Sequence, residues 1–202
     1  MPQGYWIGHI TVRDPEGYAE YVRRDTPVIE GFGGRFLVRG GRSETPETPL
    51  RDRHVVIAFP DYDAARACFA SDAYQEVAAI RRRTADADFV VAEGLGQGSA
   101  QAGPAAGPLG YWAAHVDVAD PSAYAPYVAE NDRILPQHGG QFLVRGGRAE
   151  VVEGDLPGRH VLIAFRSFAS ARACYASPEY QENLRRRLAA STGRLVIVEG
   201  VG

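Results

Sequence analysis

The chain repeats itself once, and that repeat constrains its fold more than any other feature. Gly4-Tyr5-Trp6 returns as Gly110-Tyr111-Trp112, and Asp14-Pro15 returns as Asp120-Pro121. Phe36 to Arg42 returns intact as Phe142 to Arg148, and Ala65 to Cys68 returns as Ala171 to Cys174. One offset of 106 positions serves throughout without a gap, with 42 of 92 aligned positions identical. A period this long is a domain duplication, because solenoid repeats run at roughly 20–50 residues. The two copies span 1–95 and 110–202. Residues 96–109 between them are rich in Gly, Ala and Pro and carry no charge, as a flexible linker does.

Within one copy the apolar pattern changes period. Residues 5–13 alternate like a strand, with Trp6, Gly8, Ile10 and Val12 on one side and Tyr5, Ile7, His9 and Thr11 on the other. Asp14-Pro15 reads as a helix cap with proline in the first turn. Tyr18, Tyr21, Val22, Asp25, Val28, Ile29 and Phe32 then fall on one helical stripe, which Gly33-Gly34 closes. Pro27 within it predicts a kink. Strands follow at 35–42 and 53–59, joined by a long polar loop, Ser43 to Asp52. Asp61 opens a short helix, Ser71 caps a second segment, and 89–93 makes the last strand. The order β-α-β-β-α-β predicts an α+β fold: two ferredoxin-like units, each an antiparallel sheet with helices on one face. The other face would be left bare. Packing the two sheets face to face as an internal pseudo-dimer covers both.

Four separated segments carry a family resemblance: GYWIGHITVRDPEGYAEYV, GGRFLVRGGR, RHVVIAFPDYDAARACFASDAYQ and the terminal VVAEG. They resemble the DUF1330 family. That family is part of the dimeric α+β barrel superfamily, which includes antibiotic-biosynthesis monooxygenase-like and EthD-like proteins. The resemblance covers about 4–95 and 110–201. It implies ferredoxin-like units that pair to close a barrel, within this chain or in a homo-oligomer, and it assigns no function.

Several function classes fall away on composition. No run is apolar enough to span a bilayer, and with 22 basic against 25 acidic residues nothing favours nucleic acid or anionic lipid. RNA-recognition domains share this element order, but the third strand, Arg53 to Phe59, lacks their spaced stacking aromatics. Five histidines without zinc spacing give no metal motif, and no cofactor is expected. Cys68 and Cys174 read as buried free thiols, and the N-terminus reads as having no signal peptide. The expected setting is therefore cytoplasmic.

The candidate site residues come in pairs. His9 and His115, on the polar side of the first strand, are candidate acid/base groups. Arg39 and Arg145 are expected to hold a ligand carboxylate or an internal acid. Tyr18, Tyr21 and Tyr74, with Tyr124, Tyr127 and Tyr180, would line the apolar part of a pocket. Arg81 and Arg187 share the stripe begun by Tyr74 and Tyr180, and point either to an internal ion pair or to a polar pocket. The favoured partner is a small anionic or aromatic metabolite in each unit. The alternatives are a cofactor-independent enzyme with His9 as acid/base and an interaction module without a pocket. Copy two replaces Asp25 by Asn131, so its site differs in charge.

Overall fold

The computed structural model describes residues 2–96 and 107–202, so most of the expected linker lies outside the described residues. The first copy runs β1 (Gly4–Val12), α1 (Pro15–Gly31), β2 (Arg35–Arg39), β3 (Ser43–Glu44), β4 (Arg53–Phe59), α2 (Tyr62–Ala70), α3 (Asp72–Thr84), β5 (Ala85–Glu93). The second runs β6 (Gly110–Val118), α4 (Pro121–Gln137), β7 (Gln141–Arg145), β8 (Ala149–Glu153), β9 (Arg159–Phe165), α5 (Phe168–Ala176), α6 (Pro178–Ala190), β10 (Ser191–Glu199).

Local chemistry sets these boundaries. The Asp14 carboxylate accepts from the Gly17 amide at the start of α1. Ser71 ends α2 and starts α3: its hydroxyl donates to the Cys68 carbonyl and accepts from the Tyr74 amide. Ser177 repeats both bonds. Pro27 lies inside α1, which stays one helix through it. β5 starts at Ala85, earlier than the apolar run suggests, because Val12 at the far end of β1 pairs with Ala85.

Each copy supplies four strands in the ferredoxin-like order, β2-β4-β1-β5 in the first and β7-β9-β6-β10 in the second. Each sheet has a fifth strand, and here the copies trade segments. β8 pairs antiparallel with β5, and β3 pairs antiparallel with β10. Among the described residues, one compact unit therefore holds those up to Gly41, Arg51 to residue 96, and Arg148–Leu156. The other holds Arg42–Leu50, the residues from 107 to Gly147, and Pro157–Gly202. The polar stretch expected to be a plain hairpin loop begins with a donated two-residue edge strand, Ser43–Glu44. The sequence-based boundaries at 95 and 110 mark the repeats, while the units cross them.

The core of the first unit lies between sheet and helices. Trp6, Ile10, Val55, Ile57, Phe59 and Phe89 from the strands meet Tyr21, Ile29, Ala65, Cys68 and Tyr74 from the helices. The Trp6 indole N–H donates to the Ala65 carbonyl, and Trp112 repeats this on Ala171. The opposite side of β1, with Tyr5, Ile7 and His9, is also buried. No described helix is long and apolar enough to cross a membrane.

One compensated difference shows how tightly neighbouring strands pack on the helix-facing side of the sheet. A Cβ at Gly8 would lie 2.2 Å from Phe89 Cε1. Copy two has Ala114 and Leu195 at these positions, exchanging a bare backbone under a ring for a methyl under a shorter side chain. Gly8→Ala is expected to destabilise by about 1–3 kcal/mol through overpacking. Phe89→Leu in the same chain should recover more than ~1 kcal/mol of that loss, read as the coupling term of a urea-denaturation double-mutant cycle.

Candidate functional site

In each unit an aromatic chamber lies between the first helix and the sheet. In the first unit it is bounded by Trp6, Tyr18, Tyr21, Asp25, Arg39 and Arg53, among others, and encloses about 10 Å³. Its counterpart encloses about 30 Å³, bounded by Trp112, Tyr124, Tyr127, Asn131, Arg145, Arg159 and Arg187. One water needs ~10–15 Å³, so both chambers are close to filled. Beside the second chamber runs an open groove of about 760 Å³, between the start of α4 and the ends of β6 and β9. Groove and chamber share Val116, Tyr124, Val128 and Arg159. Smaller residues shape the groove wall in this copy. Ala129 and Gly158 stand where the first copy has Arg23 and Asp52.

Sequence reasoning placed Tyr18, Tyr21, Tyr74 and Arg81 on inward stripes, and the structure brings them together. The Tyr21 and Tyr74 hydroxyls are 3.3 Å apart, as are those of Tyr127 and Tyr180. Arg81 is fully buried, with its guanidinium 4.7 Å from the centre of the Phe89 ring. It donates two hydrogen bonds of 2.7 Å to the Glu153 carboxylate. Burial alone would lower its pKa, but the bonds to Glu153 hold it above the ordinary arginine value. Arg187 has a looser version: its Nη2 lies 2.5 Å from Glu47 Oε2, off the axis of a hydrogen bond. The second oxygen of Glu47 accepts from the Tyr175 hydroxyl.

Glu47 and Glu153 were missed as site residues. A signal was present: between 43 and 52 only Glu44, Glu47 and Leu50 repeat at the common offset. Glu44 meets Arg172 at 2.6 Å, and Glu150 meets Arg66 at 3.0 Å. The repeated acids of the loop thus belong to the donated segments, Arg42–Leu50 and Arg148–Leu156. Arg53 and Arg159 were missed too. The Arg53 guanidinium lies 5.6 Å from the Tyr18 ring centre and donates to the Arg39 carbonyl. Gly40, at φ +75°, leaves space that a Cβ would take from this guanidinium. The Nε atoms of Arg53 and Arg159 are buried without a hydrogen-bond partner.

Arg39 lies at the chamber's edge, stacked on Phe36, and donates to Thr26 Oγ1 and to the Val22 carbonyl. It approaches Asp25 to 3.9 Å. Burial raises the Asp25 carboxyl to about 6, against hydrogen bonds from Thr26 and Tyr21 and the charges of Arg39 and Arg81. Copy two rearranges this polarity. Asn131 accepts from the Asn183 amide, and Asp132, one position on, pairs with Arg145 at 2.6 Å.

His9 and His115 lie elsewhere. They project from the other side of the sheet, where His9 Nδ1 meets His54 Nδ1 at 2.8 Å and His115 meets His160 likewise. One imidazole of each pair donates and the other accepts, so neither pair tolerates full protonation. Burial lowers His54 and His160 to about 4 and His115 to about 3. Cys68 and Cys174 are buried thiols that desolvation pushes up to about 12. No three His, Cys, Asp or Glu side chains among the described residues are grouped to hold a metal.

A family model described as "Domain of unknown function (DUF1330)" matches residues 3–95 and again 109–201. No curated protein matches. Among solved structures, a protein of Lactobacillus acidophilus NCFM provisionally named a monooxygenase is 12% identical, with a TM-score of 0.53, covering 98% of this chain and 94% of that one. An anthrone oxidase-like protein is 12% identical with a TM-score of 0.54, covering 100% and 92%. A mutant chlorite dismutase from Candidatus Nitrospira defluvii is 8% identical with a TM-score of 0.54, covering 96% and 90%. At these identities the likeness is one of fold, that of the dimeric α+β barrel proteins.

The buried groups set two expectations. Glu153→Gln leaves the Arg81 charge uncompensated and should cost about 3 kcal/mol in urea denaturation, more than joint replacement by Arg81→Met and Glu153→Leu. Asp25 has a folded pKa raised above its unfolded value, so its ionisation costs nothing below about pH 4 and destabilises progressively as pH rises to about 6. The histidines act oppositely, losing stability as pH falls below their ordinary range, and they are common to both chains compared. Asp25→Asn should therefore stabilise at pH 8, and its advantage over the parent should grow by more than ~1 kcal/mol between pH 5 and pH 8.

Proposed function

The chain belongs to the DUF1330 family twice over, and from that premise we propose that it binds small aromatic metabolites between helix and sheet, with a carboxylate ligand seated in the second unit. The observation that carries this reading is the groove of about 760 Å³ that shares Val116, Tyr124, Val128 and Arg159 with the buried aromatic chamber. Its size suits a small organic molecule. Val116, Val118, Ala125 and Val128 give it an apolar wall, and Arg159 offers a cation where groove and chamber meet. A guanidinium with a buried, unpartnered Nε is the group that a ligand carboxylate would satisfy. Tyr124 and Tyr127 supply ring faces, and Arg145 lies at the chamber's edge with its charge already engaged by Asp132. In the first unit the equivalent residues are Tyr18, Tyr21, Arg39 and Arg53, with Tyr74 and Arg81 behind them.

An enzymatic reading centred on this chamber has Asp25, not His9, as its ionisable group. Asp25 lines the chamber, whereas His9 and His115 are held by His54 and His160 on the other side of the sheet. The oxidase, monooxygenase and dismutase names of the structural neighbours would supply such a reading only with the fold.

Titration with 1-naphthoate, followed by amide NMR, tests the binding reading. Shifts are expected at Val116, Tyr124 and Val128, and Arg159→Met should weaken binding about tenfold while leaving circular dichroism unchanged. Absence of binding at millimolar naphthoate, or an unchanged affinity in Arg159→Met, would overturn it.

A further inference from the structure

The two donated segments do the same job with unequal fastening. Arg148–Leu156 is held along its length. β8 pairs with β5 from Phe89 to Ala92, Val152 packs on the core of the first unit, and Glu153 accepts two bonds from Arg81. Its far end is clamped by Asp88, a buried carboxylate on β5. Asp88 accepts from the Asp155 amide, and both its oxygens accept from Arg51. Leu156 is buried beyond the clamp.

These fastenings are missing or weaker on Arg42–Leu50. Pro46 stands in place of Val152, and Arg194 in place of Asp88. Pro49 stands in place of Asp155 and has no amide hydrogen to give. β3 meets β10 at Ile197 and Val198 and ends there. Leu50 is half-buried where Leu156 is buried. The firm contacts gather at the segment's start. The Arg42 carbonyl accepts from the Glu199 amide, the Arg42 guanidinium lies over the Phe168 ring, and Glu44 pairs with Arg172. Beyond Glu44 every position is exposed or half-buried, and the inward tie is Glu47. One of its oxygens accepts from Tyr175 at 3.1 Å. The other meets Arg187 off the axis of a hydrogen bond, leaving Glu47 Oε2 and the Nε and Nη2 of Arg187 buried without one. A charge pair without that alignment forgoes the directional part of its strength, so it parts more readily than Arg81 and Glu153.

We propose that Thr45 to Leu50 is a lid, hinged on the anchored Arg42–Glu44 and on Arg51, that lifts from the second unit and uncovers Arg187 while β8 stays shut over Arg81. Local openings of this kind occur where little apolar surface is buried and the backbone is exposed. Arg187 forms part of the wall of the second chamber. With Glu47 lifted away, that wall is breached and a guanidinium stands at the breach without its acid. The nearly filled chamber thereby gains an entrance controlled by one loop. The lid operates whether or not the groove takes a metabolite.

Labelling of the full chain with phenylglyoxal, followed residue by residue by peptide mass spectrometry, tests this. Arg81 and Arg187 are 0% and 2% exposed, so each reacts only when something opens. Relative to its own rate in the urea-unfolded chain, Arg187 is expected to react about tenfold or more faster than Arg81. In sub-denaturing urea the Arg187 rate should stay nearly flat, since lifting one loop exposes little surface. The Arg81 rate should climb with the steep urea dependence of global unfolding. Asp88→Ala, which removes the clamp on the other segment, should raise the Arg81 rate and flatten its urea dependence. Equal rates in the parent, an Arg187 rate as steep in urea as that of Arg81, or an Arg81 rate unmoved by Asp88→Ala would each overturn the lid. The comparison within the parent decides the matter even where Asp88→Ala does not fold.

Discussion

A fully buried arginine must find an anion, and in this protein the anion comes from the other copy of the repeat. Arg81 lies beneath the chamber of the first unit, with Glu153 of the donated strand closing on it through two parallel hydrogen bonds. Left unpaired, such a charge would cost several kcal/mol. Much of the surrounding structure follows from that need. β8 must reach β5, which places Glu153 opposite Phe89 in the ladder. The cation then rests against the Phe89 and Tyr21 rings. Its charge spent, the chamber above is left to Arg39, Arg53 and Asp25. The same logic runs through Arg187 and Glu47, with poorer geometry, in a chamber that is also the larger of the two.

How much of this was legible depended on the range of the interaction that decides each feature. The Asp14 and Ser71 caps, the Gly33-Gly34 stop and the strand alternation through Trp6 act within a few residues, and all can be read from the string. The ferredoxin-like order followed from them, and the inward stripe carrying Tyr21, Asp25, Tyr74 and Arg81 followed from helical period. The donated strands could not be read this way. Ser43 to Asp52 is polar, has no Val, Ile or aromatic residue and is punctuated by Pro46 and Pro49, so local pattern marks it as loop. What makes Ser43–Glu44 a strand is the open edge of β10, more than a hundred residues away. Likewise His9 looked free for chemistry because its partner His54, 45 positions on, is visible only once β1 pairs with β4.

The duplication also works as an internal control. Positions identical in both copies hold what both units need: the Trp6 indole bond, the tyrosine pair, the arginine and its distant glutamate. Some of the positions that differ do so in matched sets. Gly8 with Phe89 answers Ala114 with Leu195, and Asp25, Thr26 and Val77 answer Asn131, Asp132 and Asn183. Volume is kept in the first set, and an acid is kept but relocated in the second. The paired tryptophan, tyrosines and arginine thus stayed fixed while the polarity of one wall changed.

The crossing strands have a consequence for what counts as a part of this molecule. Followed from its start, the chain passes from one unit to the other at Arg42, back at Arg51, over again between residues 96 and 107, back at Arg148, and over a last time at Pro157. The repeat visible in the sequence and the body visible in space are therefore different objects. No single cut in the polypeptide, not even one within the segment joining the repeats, releases a complete unit. Each half set free would carry a strand cut out for its sibling and a buried arginine missing its acid. The duplication doubled a sequence, and the exchange of β3 and β8 made the two copies inseparable.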